Sequence, residues 1–440
     1  MSLYRPPQHI DTDGPGTGDR AAAEPVIAGV PASALRAAKR PGPWLTDTEP
    51  LAVDPHALRQ GRLARLRAMM RAHEYAGLVL FDPYNQRYAT GSRNMFGYFL
   101  RNSSRYFFVP VDGPIVLFEY PQSAHVSEVL DTVAEVRTSK VVWSSVRGAD
   151  GDTGGPFADE IAELMRTQGG TRVGLDRCFH GMALALEARG LEVVDCMQDL
   201  LATRAVKTPE EVSCLVESLT TCEAGTYEVL SALRPGVSEQ ELFAAYYGAI
   251  IAGGGEMVET RLLSSGTRTN PWFSEASGRR VRPRELVAFD TDTIGNYGYY
   301  SDFSRTFFCG PGKPSGEQKT LYQLAYEQVQ HNVSIIAPGL SFRELSERAW
   351  RIPERYLERR YTSVMHGCGM HGETPFIAHI QDYDRFGVEG RLEPGMVLCV
   401  ESYIGEVGGA EGVKLEEEVL VTERGGEVLS KFPYDDALLG

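Results

Sequence analysis

The stretch LVAFDTDTIGNYGYYSDFSRTFF, residues 286–308, decides how the rest of the chain is read. Leu286 to Phe289 form an apolar run that enters a strand, and the run delivers Asp290, with Asp292 two residues on. Side chains two apart on a strand share a face, so both carboxylates address one centre. Gly295 to Gly298 supply a turn, and the chain returns to Asp302 beside a second apolar run, as a hairpin does. Acids crowded on one face repel one another unless a cation neutralises them, which is the physical argument for a metal. Taken alone, the segment also fits an aspartate that merely ends a strand.

Three downstream segments strengthen the metal reading. VMHGCGMHGETPF (364–376) sets His366 after an apolar pair and before glycines, a pattern that brings backbone close to a ligand. GMVLCVESYI (395–404) sets Glu401 inside an apolar strand, where an unpaired ionised carboxylate is costly. GVKLEEEVLVT (412–422) sets Glu416 on a strand that runs on to Val421. Asp290, Asp292, Asp302, His366, Glu401 and Glu416 exceed what one ion needs, and carboxylates bridge, so a pair of metals is expected. An oxygen-rich set with one imidazole suits Fe, Mn, Co or Zn better than an ion selected by thiolates.

The surrounding chain sets bounds on this centre. At 440 residues two domains are expected, and an apolar fraction of 42% with 23% charged residues is that of a globular protein. A formal charge of -15 argues against nucleic acid as a partner. Neither a basic, apolar leader nor a bilayer-length apolar run is present, so a cytoplasmic protein without membrane partners is expected. The seven dispersed cysteines read as reduced thiols rather than a disulfide framework.

Residues 1–53, rich in Pro, Gly and Asp, read as an N-terminal arm. Residues 54–205 alternate helix-like and strand-like runs, an α/β domain without a nucleophile or ligand cluster. In it, YFFVPVDGPIVLFEY (106–120) predicts two strands about an Asp-Gly-Pro turn. Residues 206–440 read as an α+β catalytic domain with helices on an antiparallel sheet. Helix starts are marked by KTPEE at 207–211 and by a Ser238–Glu241 capping box, with further helices over 317–336 and 341–350.

The order Asp292, Asp302 in DFSRTF, His366 in HGCG, Glu401 in CVES and Glu416 in KLEEEVLVTE resembles the methionine aminopeptidase, prolidase and creatinase group. The resemblance implies a two-domain architecture with a C-terminal pita-bread domain, a dinuclear centre and a homodimer. VETRLLSSGTRTNPWFSE (258–275), FDTDTIGNYG (289–298), LEPGMVLCVES (392–402) and FDPYNQRYATGSRNM (81–95) are similar, more narrowly, to the iron-associated lyases of this fold. Those enzymes cleave dimethylsulfoniopropionate to dimethyl sulfide and acrylate. That likeness implies Asp290 as an added metal ligand, iron as the preferred metal, and a shared tyrosine at Tyr361. It departs at Gly372, where the lyases carry an aspartate thought to take the α proton; His371 stands one residue earlier.

The expected chemistry is carbon–sulfur elimination from a small β-substituted carboxylate. His371 is the first-choice base, because a reference pKa near neutrality suits proton abstraction, with Tyr361 and Glu373 as competitors. Tyr98, Trp272 and Tyr361 are candidates to hold a sulfonium, each equally suited to core packing. Arg261 and Arg268 are candidates to orient the carboxylate, or else ordinary partners of an acid or a main-chain carbonyl. Hydrolysis of a C–N or Xaa-Pro-like peptide bond by the same ligands is the alternative, and a non-catalytic metal-binding protein a third.

Overall fold

The structure, a computed structural model, describes residues 53–440 apart from 94, 128–129, 142–153 and 178–179, together with the paired strands Val26–Ile27 and Val30–Pro31. The expected N-terminal arm lies, those strands aside, outside the described residues.

The chain enters the first domain through helix Pro55–Ala72, where Asp54 accepts from the N–H groups of His56 and Ala57 and Pro55 occupies the first turn. Six strands form one mixed sheet in the order Val133–Thr138, Ile115–Glu119, Tyr106–Pro110, Gly77–Leu80, Arg172–Leu175 and Glu192–Asp195. Its central strands Ile115–Glu119, Tyr106–Pro110 and Gly77–Leu80 are fully buried and almost wholly apolar because both faces are covered. Val79, Phe81, Tyr106 and Phe108 pack with Phe157 and Ile161, whereas Leu78, Leu80, Phe107 and Val109 pack with Leu63, Leu66 and Met70. The two strands expected about residues 112–114 pair antiparallel.

Thr208 and Glu211 close a capping box on helix Pro209–Ala232, and Ser238 and Glu241 close another on Glu239–Ala252. These two helices lie together because Gly225 has no side chain; a Cβ there falls 2.8 Å from the Tyr246 ring. The helices expected over 317–336 and 341–350 are Gly316–Ser334 and Phe342–Arg348. The sheets of this half are wholly antiparallel, as expected. Five strands run Gly372–Ile377, Met365–Cys368, Val397–Gly405, Gly412–Thr422 and Gly425–Val428. Three more run Leu263–Ser265, Leu286–Asp290 and Ser304–Phe308. The two sheets meet where the Thr306 hydroxyl donates to the Lys414 carbonyl at 2.9 Å and Arg305 to the Glu416 carbonyl at 2.8 Å. That seam brings the acids of both sheets together.

The 286–308 segment folds back as read, with Thr293 opposite Ser301 and Ile294 opposite Tyr300. One detail is corrected: the strand stops at Asp290, and Asp292 sits at φ 36°, outside the pleat. The two acids converge through a turn rather than through strand alternation.

Candidate metal centre

The six expected ligands come from four strands and two turns, and the fold brings them to one buried place. Asp290, Asp292 and Asp302 each offer an oxygen within 4.8 Å of the others, and Asp302, His366 and Glu416 do the same together with the Cys399 sulfur. His366 Nε2 lies 3.4 Å from Glu401 Oε1, 3.5 Å from Asp302 Oδ2 and 3.9 Å from Glu416 Oε1. Its Nδ1 is 3.1 Å from the Gly367 carbonyl; donation there leaves the Nε2 lone pair facing the acids.

Burial and mutual repulsion set the electrostatics of these acids. Burial first, then the neighbouring carboxylates, pushes Asp302 well above the usual range, and burial followed by Asp290 raises Asp292 to about 6. Among the described residues, Asp302 Oδ1, Glu401 Oε1 and Glu416 Oε1 are buried with no hydrogen-bond partner. Orphaned buried carboxylate oxygens beside an imidazole nitrogen are the donor set a divalent cation completes, so the residues fit the metals expected.

A lysine that the ligand motifs pass over sits at the back of this set. Lys414 is fully buried and donates to Glu401 Oε2 at 2.6 Å, Glu416 Oε2 at 2.7 Å and Ser304 Oγ at 2.6 Å. Burial opposes its charge, yet the surrounding acids outweigh that and hold its pKa well above the ordinary value. Glu401, against its own burial, is held low by Lys414 and His366. The signal was present: Lys414 lies two residues before Glu416 on one strand, hence on the same face. Cys399 bears the same relation to Glu401.

A cavity of about 380 Å³ opens onto Asp292, Asp302 and His366, and the aromatic side chains of Tyr84, Tyr300, Tyr361 and Phe376 line it. Tyr300 donates to Asp292 at 2.6 Å, and the Tyr361 ring covers the Lys414 ammonium at 4.7 Å. His371 lines the cavity too, but not as a free base. Its Nε2 faces Arg204 Nη2 at 3.0 Å and its Nδ1 faces the Gly372 carbonyl at 2.6 Å, so both ring nitrogens are engaged. Burial, with Arg204 adding to it, keeps its pKa low. Glu373 is likewise committed: Arg204 Nε is 3.0 Å and Lys207 Nζ 3.6 Å from its carboxylate, which they hold below the usual range against its burial.

Glu259, absent from the motif reading, stands at the cavity wall, where it accepts from the Tyr84 hydroxyl. Burial of its carboxyl, then Asp292, raises it to about 7. Four of the other expected residues lie elsewhere. Tyr98 is set edge-on to Tyr120 at 6.0 Å, outside the cavity lining. Arg268 is taken up by Glu239, Ser277 and the Glu275 carbonyl, and Arg261 by Glu275 at 2.5 Å. Trp272 packs with Leu262, Ala288 and Tyr403, and Phe273 stands between it and Tyr361. The glycines after His366 also serve the protein rather than a ligand. A Cβ on Gly367 would fall 2.2 Å from the Thr374 carbonyl, and one on Gly369 2.2 Å from the Glu373 carboxylate.

A buried set of acids and one histidine on antiparallel sheets, behind a mixed α/β domain, defines a pita-bread metallo-enzyme. Family comparison agrees: residues 213–423 match metallopeptidase family M24, and residues 62–206 match the creatinase/prolidase N-terminal domain. The chain belongs to this family of metal-dependent enzymes. It is 36% identical over 408 residues to the dimethylsulfoniopropionate lyase DddP of Roseovarius nubinhibens, covering 91% of each chain. It is 29% identical over 245 residues to the Xaa-Pro dipeptidase of Pyrococcus furiosus, covering 54% of this chain and 66% of that one. Among solved structures, an Xaa-Pro dipeptidase from Bacillus anthracis superposes with TM-score 0.69 at 23% identity, over 86% of this chain and 98% of that one. The prolidase from Pyrococcus horikoshii gives TM-score 0.68 at 19% identity, over 85% and 99%. No helix among the described residues is long and apolar enough to cross a membrane.

Proposed function

We propose that the chain is a metal-dependent carbon–sulfur lyase that eliminates a neutral sulfide from dimethylsulfoniopropionate or a related small β-substituted carboxylate. The observation that carries this reading is the 36% identity to a dimethylsulfoniopropionate lyase across 91% of both chains. The site is consistent with it. A cavity of about 380 Å³ suits a small molecule. Its aromatic walls suit a sulfonium better than a plain carboxylate.

Asp290, Asp292, Asp302, His366, Glu401 and Glu416 would hold two divalent ions, iron being preferred from the resemblance. When bound, such ions supply Lewis-acid stabilisation of negative charge growing on the substrate. The chain's own residues do the rest. Tyr84, Tyr300, Tyr361 and Phe376 enclose the onium group. Glu259 takes the α proton, in place of His371, whose nitrogens are both engaged. The electron pair of the C–H bond becomes the new C=C bond, and the C–S pair departs with dimethyl sulfide, which needs no general acid. Tyr84, by donating to Glu259, aims that carboxylate into the cavity.

The test is headspace detection of dimethyl sulfide, with acrylate measured in solution, from metal-restored protein given dimethylsulfoniopropionate. Stoichiometric release of both is expected. A second reading, hydrolysis of Xaa-Pro dipeptides, is favoured by Gly372 where the lyases hold an aspartate, and by the match to a metallopeptidase family. Dipeptide turnover with no sulfide release would replace the first reading with the second.

A further inference from the structure

The Lys414 ammonium has three N–H groups and three close acceptors, so its bonding is complete before any ion is considered. Two of those acceptors are Glu401 Oε2 and Glu416 Oε2, while the Oε1 atom of each glutamate is buried without a partner, 3.4 and 3.9 Å from His366 Nε2. Each glutamate is therefore divided: one oxygen faces the lysine and the other faces the histidine. Asp290 differs. Its Oδ1 accepts from Ser304 Oγ at 2.6 Å and from the Thr291 N–H at 3.2 Å, and its Oδ2 stands 3.5 Å from Lys414. Its Oδ1 is thus satisfied within the protein. Ser304 ties the pair, with its oxygen 2.6 Å from both Asp290 and Lys414.

We propose that Lys414 is a built-in cation of the metal centre that offsets the additional carboxylate Asp290, the two acting as one unit that sets how tightly the second metal ion is held. This rests on the two-ion reading of the site. Asp290, Asp292, Asp302, Glu401 and Glu416 bring five negative charges, two divalent ions bring four positive, and Lys414 supplies the fifth. Removing either member alone leaves a buried net charge, whereas removing both restores the balance. Lys414 is thus a positioning and charge-setting residue, not one that touches substrate.

The experiment is a double-mutant cycle read by metal binding, independent of turnover. Metal-stripped full-length protein is titrated with Mn²⁺, and free and bound ion are separated by electron paramagnetic resonance. For the second ion, Asp290→Asn is expected to weaken binding at least about tenfold and Lys414→Met to tighten it at least about tenfold, since a like charge a few ångströms away is removed. The double variant is expected to return to within about threefold of wild type, because the two opposite changes in buried charge cancel. Lys414→Arg, which keeps the charge, is expected to behave as wild type; circular dichroism and melting temperature report folding. If Lys414→Met does not fold, Lys414→Arg and Asp290→Asn decide. Unchanged or weaker binding in Lys414→Met, a double variant more than about threefold from wild type, an unchanged second ion in Asp290→Asn, or a folded Lys414→Arg that behaves unlike wild type overturns the proposal. Wild-type protein that binds fewer than two ions overturns instead the two-ion reading beneath it.

Discussion

At the scale of single residues, His371 and Glu259 show how hydrogen bonding separates a free base from an occupied one. A histidine in the right sequence neighbourhood is chemically adequate, but one whose two nitrogens already face Arg204 and Gly372 has no lone pair to offer. Among the described residues, Glu259 faces the cavity with only a tyrosine proton on one oxygen. Glu259→Gln is accordingly expected to lower kcat about a hundredfold or more with metal content preserved, the range for loss of a general base. His371→Ala is expected to retain most of the turnover. Steady-state kinetics beside metal analysis of both variants checks this, and a reversed order contradicts it. Glu401 and Glu416 were legible because each breaks an apolar strand with a group that needs a partner, His366 because it stands between an apolar pair and glycines, and Asp302 because it stands beside an apolar run. Lys414 obeys the same rule and was legible by its spacing from Glu416, yet a ligand motif does not include it. Arg261 and Arg268 were not separable from structural arginines, because their partners Glu275 and Glu239 lie far enough away that only tertiary structure shows the pairing.

At the scale of elements, the helices were readable because their signals are local. Thr208 with Glu211 and Ser238 with Glu241 complete their boxes within one turn. Strand ends were less readable. Asp292 stands at φ 36°, past the end of its strand, and no neighbouring residue announces that turn. The glycines of HGCG were visible as a requirement, but their reasons, the Thr374 carbonyl 2.2 Å from a hypothetical Cβ on Gly367 and the Glu373 carboxylate 2.2 Å from one on Gly369, are tertiary. Gly367→Ala is therefore expected to destabilise the protein by about 1–3 kcal/mol, the usual cost of overpacking, and to shift His366; denaturant melts and metal affinity check it. A second element carries a pH dependence. His379, beside the Arg360–Asp382 pair, is held down at about 4 by burial first and Arg360 next. Its folded pKa lies below its unfolded value, so the neutral ring's contribution is complete above about 6.5 and is lost as pH falls toward 4. The loss amounts to no more than about 3 kcal/mol. Melting temperatures from pH 7 to 4 are expected to fall less steeply in His379→Gln than in wild type; equal slopes would contradict the assignment.

At the scale of the whole molecule, the first domain is part of the site. Tyr84, from helix Pro83–Thr90, reaches Glu259, and Arg204, from helix Met197–Ala205, reaches both His371 and Glu373. Arg87 crosses the same boundary to Glu256 at 2.6 Å. The two-domain architecture was legible from alternating patterns and from the helix start at Thr208, whereas these crossings were not, since nothing local links residue 84 to 259. Arg204→Met leaves Glu373 buried with Lys207 as its remaining cation, and is expected to cost about 3 kcal/mol. Arg204→Lys is expected to recover part of it; equilibrium unfolding of both variants is the check.

Cations would draw the acids of the two sheets together at this centre. Anomalous diffraction from crystals of the full-length, metal-loaded protein reads that directly. Two peaks are predicted, one among Asp302, His366, Glu401 and Glu416 and the other among Asp290, Asp292 and Asp302. A metal-replete crystal with no peak at either place would contradict it.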